Sequence, residues 1–141
     1  MECRAVTYAP NAKLAAYRSV LAHGAVNGAD PHGLVLMLMD AALERMTTAL
    51  GCLERGEIIS KTKLLHSCVR LVTELRASLN LKDGGELAAN LSGLYDYMVR
   101  RLLLANATND PQRITEALEP LKAIRAAWVA IAPAGRQAAA P

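Results

Sequence analysis

The chain has 141 residues, enough for one domain with a real core and too few for two. Hydrophobic residues make up 52% and charged residues 21%, Phe is absent, and Leu and Ala supply most of the apolar content, a balance that favours helices over strands. The net charge of +3 is mild and the basic residues form no stripe, so solvated helix faces account for it better than a nucleic-acid footprint does.

In chain order, Pro10 opens a short helix to about Ala22, with Leu14, Tyr17, Val20 and Leu21 on one stripe, and the glycines of "HGAVNGAD" end it. Asp30-Pro31 starts a second helix: Asp caps free N–H groups and Pro takes the first helical position. It runs to about Leu53 on a core stripe of Val35, Leu38, Met39, Ala42, Met46, Ala49, Leu50 and Leu53, while Leu34, Leu36 and Met37 put apolar groups on its other faces. A third helix is predicted from about Glu57 or Ile58 to Leu79, with Ile58, Leu65, Cys68, Val72, Leu75 and Leu79 inward and Leu64 and Leu71 on a flank. "NLKDGG" is a loop.

A fourth helix covers about Gly85 to Ala105, with Leu87, Leu91, Leu94, Tyr95, Met98, Leu102 and Ala105 on one face and Tyr97 and Leu104 elsewhere. Asp110-Pro111 repeats the earlier start and opens a fifth helix to about Ile131, carrying Ile114, Leu118, Leu121, Ile124 and Trp128 inward. Pro120 removes one backbone hydrogen bond inside it and is expected to kink or split it. Residues 133–141, "PAGRQAAAP", form an Ala/Pro-rich tail expected to be disordered, beyond a single domain over 1–132. Helices of about twenty residues joined by short loops predict an all-α, antiparallel up-down four-helix bundle with an additional short N-terminal helix. The longest apolar run, Leu34 to Met39, stops at Asp40, and the N-terminus has no signal-peptide pattern, so the expectation is a cytosolic protein without membrane insertion.

Catalytic chemistry is largely missing. Cys3, Cys52 and Cys68 are odd in number and form no CxxC, which argues against a disulfide framework and a zinc site. His23, His32 and His66 have no i, i+3 or i+4 partner and no Glu-x-x-His occurs, so no metal is expected. Gly84-Gly85 follows no strand and belongs to no phosphate-binding motif. His66, in mid-helix, is the candidate phospho-acceptor of the alternative reading, a four-helix histidine phosphotransfer module. The remaining signal is apolar surface in excess of one core stripe. It arises either from a central helix with several neighbours or from a groove that receives an amphipathic partner.

The blocks "DPHGLVLMLMDAAL" (30–43), "ELRASLN" (74–80), "GGELAANL" (84–91), "LYDYMVRRLLLAN" (94–106), "NDP" (109–111) and "LKAIRAAW" (121–128), with Tyr8 and "AY" at 16–17, resemble the FliS family of flagellin-specific export chaperones over about residues 8 to 131. The resemblance implies a helical bundle in the bacterial cytosol, with no enzymatic activity and no cofactor, that binds the disordered C-terminal segment of flagellin, prevents its early polymerisation and assists its export by the flagellar type III system. It implies that a tyrosine-bearing N-terminal segment, here Tyr8, Leu14 and Tyr17, covers part of the client site until displaced. The groove residues it points to are Leu34, Met37, Leu38, Ala41, Leu64, Leu71, Tyr97 and Leu104. Export-gate components are further candidate partners, and the sequence leaves homodimerisation through the same groove open. The chain departs from the family pattern at Met39, where an aromatic is common, at Ala41, where Gly is usual, and in being basic where the family is often acidic. Arg100-Arg101 match the family's basic pair and read as cross-braces to Asp96 or a glutamate.

Overall fold

The computed structural model describes residues 30–131. They form four helices, α1 (Pro31–Glu54), α2 (Ile58–Ala77), α3 (Gly85–Thr108) and α4 (Pro111–Ala130), and no strand occurs among the described residues. The predicted short helix from Pro10 to Ala22 and the Ala/Pro-rich tail lie outside them.

The two Asp-Pro starts do what their chemistry dictates. Asp30 is extended and its Oδ1 accepts from the His32 N–H at 3.0 Å; Asp110 repeats this with the Gln112 N–H at 3.0 Å, each with Pro in the first turn. Helix ends are set by left-handed residues: Gly56 follows α1 at φ +74°, and Asn109 closes α3 at φ 55° with its N–H on the Ala105 carbonyl at 2.8 Å. Gly84 is required for a different reason. A Cβ there would meet the Asn80 carbonyl oxygen and the Ala88 Cβ, each at 2.5 Å, where the 78–84 turn doubles back into α3.

Each helix packs on the next in sequence and α4 packs on α1, closing a ring. The core inside it draws on all four: Leu38, Met39, Ala42, Met46 and Ala49 of α1, Leu65, Cys68, Val72 and Leu75 of α2, Tyr95, Met98, Leu102 and Ala105 of α3, and Ile114, Ala117, Leu118 and Leu121 of α4. At roughly 1.5–3 kcal/mol for each fully buried large side chain, this shared interior is the dominant stabilising contribution.

Four expectations need correcting. Leu34 and Leu71, placed off the main stripes, are 7% and 5% exposed, because α1 and α2 each touch two neighbours and their buried arcs widen accordingly. Leu38, expected to line the groove, lies wholly inside the core. Leu87 and Ile58, expected inward, are 69% and 41% exposed. Arg76, near the end of α2, is already level with Ser92, and Lys61, near its start, is level with Asn106, so Leu87 and Ile58 overhang the ends of their neighbouring helix. Finally, Pro120 does not split α4, which runs unbroken from Pro111 to Ala130.

Candidate partner-binding surface

The seams of the bundle can be assigned from side-chain contacts. On α1, His32, Leu36 and Asp40 recur at four-residue steps and face α4: His32 meets Trp128 and Asp40 pairs with Arg125. Met37 and Ala41 sit one residue further on, which turns them to the opposite flank, toward α2. Leu64 occupies the α1-facing side of α2, away from Arg76, which reaches α3. Met37 is 47% exposed, while Ala41 and Leu64 are half-buried against the core.

Tyr97 and Leu104 belong elsewhere. On α3 they flank Arg101, whose Nη1 bonds Glu116 Oε1 of α4 at 3.3 Å and whose guanidinium lies 5.5 Å from the Tyr97 ring centroid. They are 36% and 38% exposed and border the α3–α4 seam. Glu116 also accepts from Arg113 at 2.9 Å, and Arg113 from its other side meets Asp110 at 3.2 Å, a chain of charges that ties α3 to the start of α4. The expected groove is therefore not one surface: Met37, Ala41 and Leu64 line α1–α2, Tyr97 and Leu104 line α3–α4, and Leu34, Leu38 and Leu71 are core. Tyr8, Leu14 and Tyr17 lie outside the described residues.

The Arg100-Arg101 pair does brace the bundle as its sequence suggested. Arg100 Nε bonds Asp96 Oδ2 at 3.2 Å, and Asp96 also receives Arg76 Nη1 of α2 at 3.3 Å. Two other links escaped sequence reasoning. Lys61 is 1% exposed, with its Nζ donating to the Asn106 carbonyl at 3.0 Å and Oδ1 at 2.8 Å, and burial lowers its pKa. The rings of His32 and Trp128 stack at 4.5 Å. A lysine on an otherwise apolar helical face was the only available signal for the first, and the second had none.

Reactive chemistry is sparse. Burial pushes the Cys68 thiol up to about 12 and raises Cys52 as well, so neither supplies a thiolate at neutral pH. His66 faces solvent on the outer side of α2. Among the described residues, no group of three His, Cys, Asp or Glu side chains is placed to hold a metal, and no helix is long and apolar enough to cross a membrane. What the described surface does offer is exposed apolar side chains on seams between long helices, the arrangement that a helical or unfolded segment can occupy.

Known proteins agree with that character. The family profile described as "Flagellar protein FliS" matches residues 13–135. The chain is 43% identical over 119 residues to the flagellar secretion chaperone FliS of Salmonella typhimurium, across 84% of this chain and 88% of that protein. It is 37% identical over 120 residues to the flagellar secretion chaperone FliS of Vibrio cholerae serotype O1, across 85% and 88% of the two chains, and 38% identical over 112 residues to the flagellar secretion chaperone FliSB of Pseudomonas aeruginosa, across 79% and 89%. With the profile spanning most of its length, the chain belongs to the FliS family of flagellar secretion chaperones.

Proposed function

We propose that this protein binds the disordered C-terminal segment of flagellin in the bacterial cytosol, keeps it from polymerising early and delivers it to the flagellar type III export apparatus, without catalysis or a cofactor. The observation that carries this reading is the 47% exposure of Met37 beside half-buried Ala41 and Leu64. An apolar seam left open on a helix pair is a place where a client's amphipathic face loses its contact with water. The client must be ordered as it binds, which tempers affinity and permits release at the export gate. Methionine suits such a surface because its unbranched thioether adapts to irregular partners.

In this reading the helices run up, down, up, down. Support comes from the pairing of helix starts with helix ends: His32 with Trp128, Lys61 with Asn106, and Arg101 with Glu116. The segment that carries Tyr8, Leu14 and Tyr17 covers part of the client site until the client displaces it. Export-gate components are further partners, and a second copy of the chain pairs through the same groove.

The test is co-purification of the full chain with flagellin and with flagellin lacking its C-terminal segment. Binding to the first and not the second is expected, and Met37→Asp weakens it. Equal binding to both forms, or to neither, refutes the reading. The phosphotransfer alternative draws on the solvent exposure of His66 alone. It requires that His66→Gln abolish a phosphorelay, whereas the chaperone reading requires that this variant bind flagellin normally.

A further inference from the structure

Asp96 is a single carboxylate shared by two guanidinium groups, Arg76 from α2 on Oδ1 and Arg100 from α3 on Oδ2. These side chains are between 41% and 64% exposed, so positive charge in excess of the carboxylate faces water across the α2–α3 seam. α2 as a whole carries four Lys and Arg residues against one Glu. Of these, Arg70 is exposed and has no ion-pair partner among the described residues. Lys61 fixes the register of α2 against Asn106, and Arg76 fixes it against Ser92. By that register Arg70 comes level with Met98, within a turn of Arg100. The same seam ends in exposed apolar side chains: Ile58 at 41%, Ile59 at 69% and Leu103 at 49%. From Ile59 to Arg76 the strip is about 25 Å long, at about 1.5 Å of helix per residue.

We propose that this α2–α3 face receives an acidic, amphipathic segment of the exported client: apolar residues seat on Ile58, Ile59 and Leu103, and carboxylates about two to five turns along engage Arg70, Arg76 and Arg100 in competition with Asp96. The proposal rests on the chaperone reading and adds to it the chemistry of the client. Charge complementarity selects the occupant, since a basic or neutral helix would leave three guanidiniums with Asp96 as the one carboxylate that two of them share, over a strip that is otherwise apolar at one end. The contacts are partly solvated, so they steer encounter and set partner choice, and salt screens them.

The experiment uses the full chain and the labelled C-terminal flagellin segment encoded in the same genome. Arg70→Glu with Arg100→Glu weakens binding about tenfold, and Lys82→Glu with Lys122→Glu, the same change in net charge placed off the face, leaves it unchanged. Asp96→Asn frees both guanidiniums and tightens binding about threefold, a direction that damage to the bundle cannot produce. Wild-type binding falls between about 50 mM and 500 mM salt, and Ile59→Asp weakens it without loss of helical circular dichroism. Equal binding by the two charge-reversal pairs, weaker binding by Asp96→Asn, or salt-independent binding overturns the proposal and leaves the chaperone reading standing. No binding by the unaltered chain overturns both.

Discussion

Trp128 and His32 hold each other reciprocally: the indole Nε1–H donates to the His32 carbonyl at 2.9 Å, and His32 Nε2 donates to the Trp128 carbonyl at 2.8 Å. The two rings lie 4.5 Å apart and 9° from parallel. A first-turn residue of α1 and a last-turn residue of α4 thus close the ring of helices at one end, across 96 residues of sequence.

Trp128→Phe keeps the stacking and removes the indole donor, and is expected to cost about 1 kcal/mol. Trp128→Ala removes the stacking, the indole donor and apolar area, while the main-chain carbonyl still accepts from His32, and is expected to cost about 3 kcal/mol. Urea unfolding measures both. Equal losses for the two variants would mean that the indole hydrogen bond alone, and not packing, fixes this end.

Pro120 presents the opposite case, a residue that weakens the element containing it. It has no N–H for the Glu116 carbonyl, yet α4 continues through it. The surroundings supply the compensation: Ala117, Leu118 and Leu121 on either side are buried in the core. Pro120→Ala restores the missing bond, worth up to about 3 kcal/mol in a helix interior, and loses about 1 kcal/mol of restraint on the unfolded chain. The expected net is stabilisation by about 1–2 kcal/mol, read as a higher urea midpoint at unchanged m-value.

That contrast shows which features were legible in the sequence. Asp30-Pro31 and Asp110-Pro111 announced two helix starts because capping is local chemistry. Tyr95, Met98 and Leu102 announced a core face because helical period is also local. Leu87 and Ile58 misled because whether a stripe residue is covered depends on where the neighbouring helix ends, as the levels of Arg76 with Ser92 and Lys61 with Asn106 determine here. Tyr97 and Met37 both read correctly as off the core, but periodicity alone does not say which seam each borders. That assignment came from the Arg101–Glu116 and Asp40–Arg125 contacts.

The separation of Met37 from Leu104 has a measurable consequence. A client that wraps the bundle touches both seams, and distant sites contribute independently. Met37→Asp and Leu104→Asp are each expected to weaken flagellin binding about tenfold, about 1.4 kcal/mol, and the double variant about a hundredfold. Both side chains are more than a third exposed, so stability changes little. Titration with labelled flagellin segment decides the matter: a double variant no weaker than one single variant means that the client uses one seam only.

Stability at alkaline pH follows from three buried groups. Burial pushes the Cys68 thiol from 9.0 up to about 12 and the Tyr95 hydroxyl from 10.0 up to about 12, so the folded chain keeps both neutral where the unfolded chain ionises them. Their contribution is fully present below about pH 9 and is lost as pH rises through about 12, at no more than about 1.4 kcal/mol per pH unit for each group. Lys61 works in the other direction. Burial lowers its pKa below 10.5, so below that pH the unfolded chain binds the proton more readily, and stability gains as pH rises through this window. The net expectation is a fall in urea midpoint from about pH 9 to about pH 11. Cys68→Ala lowers the midpoint at neutral pH through its cavity but makes the alkaline fall shallower, and Lys61→Met makes it steeper by removing the opposing group. A profile that stays flat to about pH 11, or that steepens in Cys68→Ala, contradicts this assignment of the buried protons.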